Sequence, residues 1–255
     1  MKNPKNISEL VKSLAAILLA LVIGACFILI SGESPLIAYG ALIEGALGSP
    51  QALANTVSKS IPLAFTGLAV ALGSRCGMLN IGAEGQLHAG AMASVLFALW
   101  FSFLPAPLLM AVSITAGIGA GMLVGCVPGI FKAKFNTSEV IVAIMLNYIC
   151  TLFTSWLVNG PYKVEGSTAQ TELIPESIWF GRLLPRTQLT YALLLILTAV
   201  LMYIFLWKTS AGFKLRAVGA NPNASRTAGI KVNMYLITSM LLSGGIAALA
   251  GVTEV

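Results

Sequence analysis

The 47 residues from Gly85 to Phe131 carry no charged side chain, and that one stretch limits the fold more than any motif does. An apolar helix needs about 20 residues to cross a hydrocarbon core of about 30 Å. The stretch is too long for one crossing, and Leu104-Pro105-Ala106-Pro107 breaks it near its middle. Two membrane spans joined by a tight hairpin account for it. The whole chain follows the same pattern: 9% of its 255 residues are charged and 57% are hydrophobic, against about a quarter charged in soluble domains. An ordinary soluble protein is excluded. Fifteen Lys and Arg stand against nine acids, all Glu, for a net charge of +6. Binding nucleic acid needs a clustered cationic surface, whereas these cations are separated by long uncharged runs. No nucleic-acid partner is expected, and the lipid bilayer is.

The charges also mark where spans end. Between Lys12 and Glu33 lie twenty uncharged residues, enough for a first crossing and longer than the roughly 7–15 apolar residues of a signal peptide. Ser49-Pro50 reads as a cap and first-turn pair opening a helix that stops at Arg75. The spans expected are 13–31, 53–74, 86–103, 108–128, 140–158, 188–207 and 232–252. The fold class is therefore all-α, a polytopic transmembrane protein of about seven spans forming one transmembrane domain over 1–255. Orientation tests the map, because cytoplasmic loops collect Lys and Arg. With the N-terminus inside, the inner segments hold Lys2, Lys5, Lys12, Arg75, Lys132, Lys134, Lys208, Lys214, Arg216, Arg226 and Lys231, against Lys59, Lys163, Arg182 and Arg186 outside, a split of eleven to four. In the outer loop Glu165, Glu172 and Glu176 cancel the three cations.

Metal chemistry has no foothold in the pattern. Cys26, Cys126 and Cys150 lie within spans, Cys76 follows Arg75, and no CxxC-type spacing occurs. They read as small packing residues, and the sole His88 lacks a companion ligand. The triplets Asn136-Thr137-Ser138 and Asn223-Ala224-Ser225 fit a glycosylation pattern but fall on the inner side.

Four features go beyond span-forming. From Gly73 to Gln86 four glycines, Arg75, Asn80, Glu84 and Gln86 interrupt apolar sequence. Irregular backbone at membrane depth is tolerated where protein or a water-filled cavity covers it, so this is either a cytoplasmic turn or part of a transport path. Glu84 at a span mouth pairs with Arg75 or belongs to a gate. Gly117, Gly121, Gly125 and Gly129 recur at i+4, the extended small-xxx-small pattern of close helix packing, and Gly244, Ala248 and Ala247, Gly251 repeat it on the last span. The inner loop 208–231 holds five cations and no acid. Within it Asn221 suits an N-cap, Pro222 the first helical position and Gly229 a left-handed stop, which predicts a short surface helix. Positive-inside bias and anionic lipid explain the charge but not this punctuation. Finally, Asn147 near the middle of the fifth span must bond a neighbouring helix or a solute.

At these residues the chain resembles the membrane permease subunits of bacterial ATP-binding-cassette importers, in the branch of purine-nucleoside permeases, with ribose and branched-chain amino acid permeases more distant. The blocks that carry the likeness are NIGAEGQ and EVIVAIMLNYI, which are the more specific, and GFKLRAVGANPNASRTAGI, which is shared more widely. The resemblance implies that Gly212, Arg216, Gly219, Asn221, Pro222 and Gly229 belong to a coupling loop seated on an ATPase subunit. It places Asn80, Glu84, Gln86 and Asn147 by the translocation pathway. It implies as partners an ATPase subunit that binds the ATP, a second permease subunit, identical or homologous, and an extracytoplasmic solute-binding protein. The chain itself is then no enzyme and holds no cofactor, in keeping with the absence of a GxxxxGK[ST] loop. Residence in the bacterial plasma membrane follows. Permeases of this branch are generally longer, so the chain is expected to be the front portion of one.

Three classes of function follow from the residues and the resemblance. The first is an ATP-driven importer permease for nucleosides or a similar small polar solute, with simple sugars or branched-chain amino acids as the other substrates. The second is an ion-driven secondary transporter, which usually buries ionisable groups within its spans, whereas Glu84 and Glu139 lie at span edges. The third is a truncated membrane subunit without transport.

Overall fold

The computed structural model describes residues 4–164, 166, 169–175, 178 and 190–255, with side chains from Val11 onward. Lys2, Glu165, Glu176, Arg182, Arg186 and the 188–189 start of the sixth expected span lie outside the described residues. Contacts divide the chain into two compact units, Met1–Thr56 and Val57–Val255.

In the first unit, α1 (Pro4–Ile30) is followed by α2 (Pro35–Leu47), a helix in the stretch between the first two expected spans. Ser34 in extended conformation and Pro35 in the first turn start it, since proline's fixed φ suits a position whose N–H has no partner anyway. Tyr39 of α2 donates its hydroxyl to the Leu21 carbonyl at 2.6 Å beside Gly24, whose missing side chain leaves room for that hydroxyl. Both helices are largely exposed and apolar, with Leu36 86% and Ile37 74% accessible, as lipid-facing surface requires. α3 (Pro50–Arg75) begins as the Ser49-Pro50 pair predicts, with the Ala52 N–H bonding Ser49 Oγ at 3.0 Å.

The second unit is built around α4 (Ala83–Trp100), α5 (Ala106–Phe135) and α10 (Val232–Val252), with α6 (Glu139–Asn159) against α4 and α5. α7 (Tyr191–Lys208), α8 (Ser210–Ala220) and α9 (Pro222–Thr227) precede α10. Six helices among the described residues are long and apolar enough to cross a membrane: α1, α3, α5, α6, α7 and α10. The third expected span, 86–103, is helical as α4 but falls outside that set. Its first turns carry Glu84, Gln86 and His88, and α4 packs chiefly against the two small-residue helices. α5 outruns its expected end at 128 by seven residues, ending at Phe135. Asn136 stops it in the left-handed region at φ 51°, with its N–H on the Lys132 and Phe131 carbonyls. Across that turn Lys132 in the last turn of α5 pairs with Glu139 in the first turn of α6 at 3.1 Å, each charge facing the helix end whose partial charge it opposes.

The α5–α10 contact is made by absent side chains. A Cβ at Gly125 would stand 2.5 Å from the Met240 carbonyl oxygen, and one at Gly129 3.0 Å from the Ile237 Cα. At Gly117 it would meet Val252 at 2.6 Å, and at Gly121 it would strike the Ala248 methyl. The reciprocal face of α10 is bare at Gly244, which lies on the Gly121 carbonyl, while Gly251 lies on the Leu87 carbonyl of α4. In lipid, where burial of apolar surface no longer drives association, such backbone approach is what dispersion contacts require.

Candidate functional site

Two places gather the polar residues of the second unit. The first is the break between α3 and α4. α3 ends at Arg75, and Gly77 takes φ +76°, a conformation only glycine adopts without strain. Residues 76–82 then run without regular structure into α4. Asn80 sits at the centre with 1% exposure. Its Nδ2 donates to Gln86 Oε1 at 2.8 Å and to Ser243 Oγ of α10 at 2.7 Å. Its Oδ1 accepts from the Gly82 N–H and from Gln86 Nε2, both at 3.1 Å. Ser243 donates its own hydroxyl hydrogen bond to the Ala69 carbonyl of α3 at 2.6 Å. Three helices are thereby tied through one amide, and every polar atom in the group has a partner, which is the condition for burying it.

Asn147 of α6 does the same from the other side. It is half-buried, donates Nδ2 to the Ile81 carbonyl at 3.0 Å and accepts the Gly85 N–H at 2.9 Å. A Cβ at Gly85 would lie 2.8 Å from that Asn147 oxygen, so Gly85 is what lets the amide reach the backbone. Asn80, Gln86 and Asn147 are thus brought together around residues 80–86, with their hydrogen-bonding capacity turned on one another and on the chain. Glu84 differs. It is exposed at the first turn of α4 and, among the described residues, makes no ion pair. Arg75, the partner weighed for it, instead places its guanidinium 5.4 Å from the Trp207 ring centroid.

The second place is the segment 208–231. α9 forms as its punctuation predicts: Asn221 Oδ1 accepts from the N–H groups of Asn223 and Ala224 at 3.0 and 3.1 Å, Pro222 opens the helix, and Gly229 follows at φ +77°. Every residue from Asn221 to Gly229 is exposed except Ser225. α8 is the helix not foreseen, although Thr209 announces it by capping the Gly212 N–H at 3.0 Å. It divides the resemblance-derived residues into two groups. Gly212 and Gly219 are spent on close packing, Gly212 against the Phe205 carbonyl of α7 and Gly219 against the Arg75 carbonyl ending α3. Arg216 donates Nε to the Leu206 carbonyl at 3.1 Å and stacks 5.4 Å from the Trp207 centroid. Asn221, Pro222 and Gly229 alone face outward.

A buried cluster of Cys76, Met78, Leu206, Leu215, Val218, Val232, Tyr235 and Met240 joins α8 to the break and to α10. Burial pushes the Cys76 thiol up from its ordinary value, a hydrogen bond with Ser239 opposing it, so the thiol stays neutral. Ser243 and Trp207 are the participants that sequence reasoning missed. Ser243 adjoins the Gly244 of the small face, and Trp207 stands at the charged end of an apolar span; neither position by itself indicates a partner.

The arrangement is a braced backbone beside an exposed carboxylate, with a short exposed helix at the second place. Comparison with known proteins identifies the family. A family model described as "Branched-chain amino acid transport system / permease component" matches residues 52–255. The chain is 37% identical over 256 residues to the guanosine ABC transporter permease protein NupP of Bacillus subtilis, covering 98% of this chain and 73% of that one. It is 36% identical over 249 residues to the nucleoside ABC transporter permease protein NupB of Lactococcus lactis, covering 94% and 68%. The glucose ABC transporter permease protein TsgB13 of Haloferax volcanii follows at 31% over 256 residues, covering 94% and 66%. No solved structure matches the chain. A polytopic all-α membrane protein whose residues 52–255 match that model belongs to the family of permease components of branched-chain amino acid type transport systems.

Proposed function

We propose that this chain is the membrane-spanning permease of an ATP-binding-cassette importer for nucleosides, residing in the plasma membrane. The observation that carries the substrate class is the identity of 36% and 37% to permeases named for nucleosides and for guanosine, above the 31% to one named for glucose. ATP is bound and hydrolysed by a separate ATPase subunit, and a second permease and an extracytoplasmic solute-binding protein complete the assembly. The exposed α9, capped by Asn221 and closed by Gly229, is the element that docks the ATPase. Arg216, Gly212 and Gly219 hold α8 on the ends of α7 and α3, so that a displacement of α9 reaches the spans. In alternating access the solute passes Glu84 and Asn147, while Asn80 and Gln86 set the shape of the backbone behind them.

The test is uptake of labelled guanosine, ribose, glucose and leucine by cells expressing the complete transporter. Saturable guanosine uptake that is competed by other nucleosides and lost when the ATPase is inactivated is the expected result. Uptake competed by glucose or ribose and indifferent to every nucleoside would move the assignment to sugars.

A further inference from the structure

The stack at the inner end of α7 has no part in the proposed transport path, and its chemistry is that of a lipid site. Ile196, Val200, Tyr203 and Trp207 are spaced by four, three and four residues, which places them on one helix face. They are 59%, 48%, 53% and 42% exposed, a continuous apolar stripe along the span. Its last turn is aromatic, with the Tyr203 and Trp207 rings stacked at 5.6 Å and 15°, as expected where a span meets the headgroup layer. At that same turn two guanidiniums from other helices converge, Arg75 ending α3 and Arg216 in α8, each 5.4 Å from the Trp207 centroid. Among the described residues neither has a carboxylate within ion-pair distance. Two like charges held by one indole, without a counter-charge from the protein, are complemented by an anion. An anion positioned at the end of an apolar stripe is the headgroup of an amphiphile.

We propose that Arg75, Arg216 and Trp207 bind the phosphate of an anionic phospholipid whose acyl chains lie along the Ile196–Val200–Tyr203 face of α7. The site is separate from solute recognition, so it stands or fails independently of the transported substrate. Because Gly219 of α8 rests on the Arg75 backbone, the bound lipid holds the α3 and α8 ends together.

The experiment is native mass spectrometry of the full chain, released from detergent with phosphatidylglycerol or phosphatidylcholine, with inorganic phosphate as competitor. Phosphatidylglycerol is expected to be retained over phosphatidylcholine. Affinity falls roughly fivefold for Arg75→Gln or Arg216→Gln and roughly thirtyfold for both together, from about one kcal/mol per cation near a headgroup. Lys134→Gln, a cation lost from the end of α5, leaves it unchanged. A photoreactive phosphatidylglycerol on the unmodified protein gives a readout that needs no variant, and its crosslinks should concentrate between 196 and 216. Crosslinks spread evenly over the spans, or equal retention of both lipids, would overturn the proposal. Inorganic phosphate displacing the lipid at matched concentration would reassign the pair to a free anion. Loss of ATPase co-purification in the double variant, with lipid retention unchanged, would reassign it to the partner protein.

Discussion

Replacing Gly121 by alanine probes the α5–α10 contact most directly. The added Cβ would stand 2.5 Å from the Gly244 carbonyl oxygen and closer still to the Ala248 methyl, where ordinary contact begins at 3.4 Å. Both obstacles are backbone or a Cβ, so no rotamer change relieves them and the helices must part by about 1 Å. Overpacking of this kind costs about 1–3 kcal/mol, and with no escape the upper end applies. Alanine returns about 1 kcal/mol through its greater helix propensity, leaving a net loss of about 2 kcal/mol. At roughly 2–4 °C per kcal/mol for a chain of this size, Tm falls by about 4–8 °C. Gly119 supplies the internal control, since it lies on the same helix and a Cβ there meets nothing within 4 Å. Gly119→Ala keeps the propensity gain alone and raises Tm by up to about 2–4 °C. Thermal unfolding of the purified chain in detergent, followed by intrinsic fluorescence, measures both. If the two variants shift Tm in the same direction by the same amount, the close approach of α5 to α10 is not what stabilises the unit.

Two further outcomes follow from the same geometry. Asn80→Ala strands the Gln86 amide and removes a donor from Ser243 in a site with 1% exposure, and at about 1–3 kcal/mol per unsatisfied group it should cost about 2–4 kcal/mol. A thermal double-mutant cycle with Ser243→Ala should give a coupling above about 0.5 kcal/mol, and additive losses would contradict the shared network. Gly229→Ala meets open space but must hold φ +77°, at about 1–2 kcal/mol for a left-handed L-residue. Membrane insertion should be unchanged while ATP hydrolysis and uptake lose their proportionality, and normally coupled uptake would remove α9 from the docking role.

How much was legible depends on how local each feature is. α9 could be read residue by residue because cap, proline and stop act within one turn on groups that a helix end leaves unsatisfied. The four i+4 glycines announced a packing face, but not that Gly121 and Gly125 meet Gly244 of α10 while Gly117 meets Val252 and Gly129 meets Ile237. Glu84 and Arg75 sit nine residues apart and invite a pairing that the fold does not make, because α7 delivers Trp207 to Arg75 instead. The resemblance placed Asn80 and Gln86 by the pathway, and the sequence does not say whether the partner of such an amide is solute or protein. Ser243, 163 positions away, answers the question for Asn80.

The sequence by itself determined the class, an all-α chain of apolar helices long enough to cross a membrane. In lipid a backbone must satisfy its hydrogen bonds within its own segment, so a run without charges decides its own structure wherever it lies in the chain. Tertiary structure alone decided which side chains meet. Those contacts depend on the rotation and register of helices packed at backbone distance, and a shift of one residue along α10 would carry Ser243 away from Asn80 while leaving every span intact.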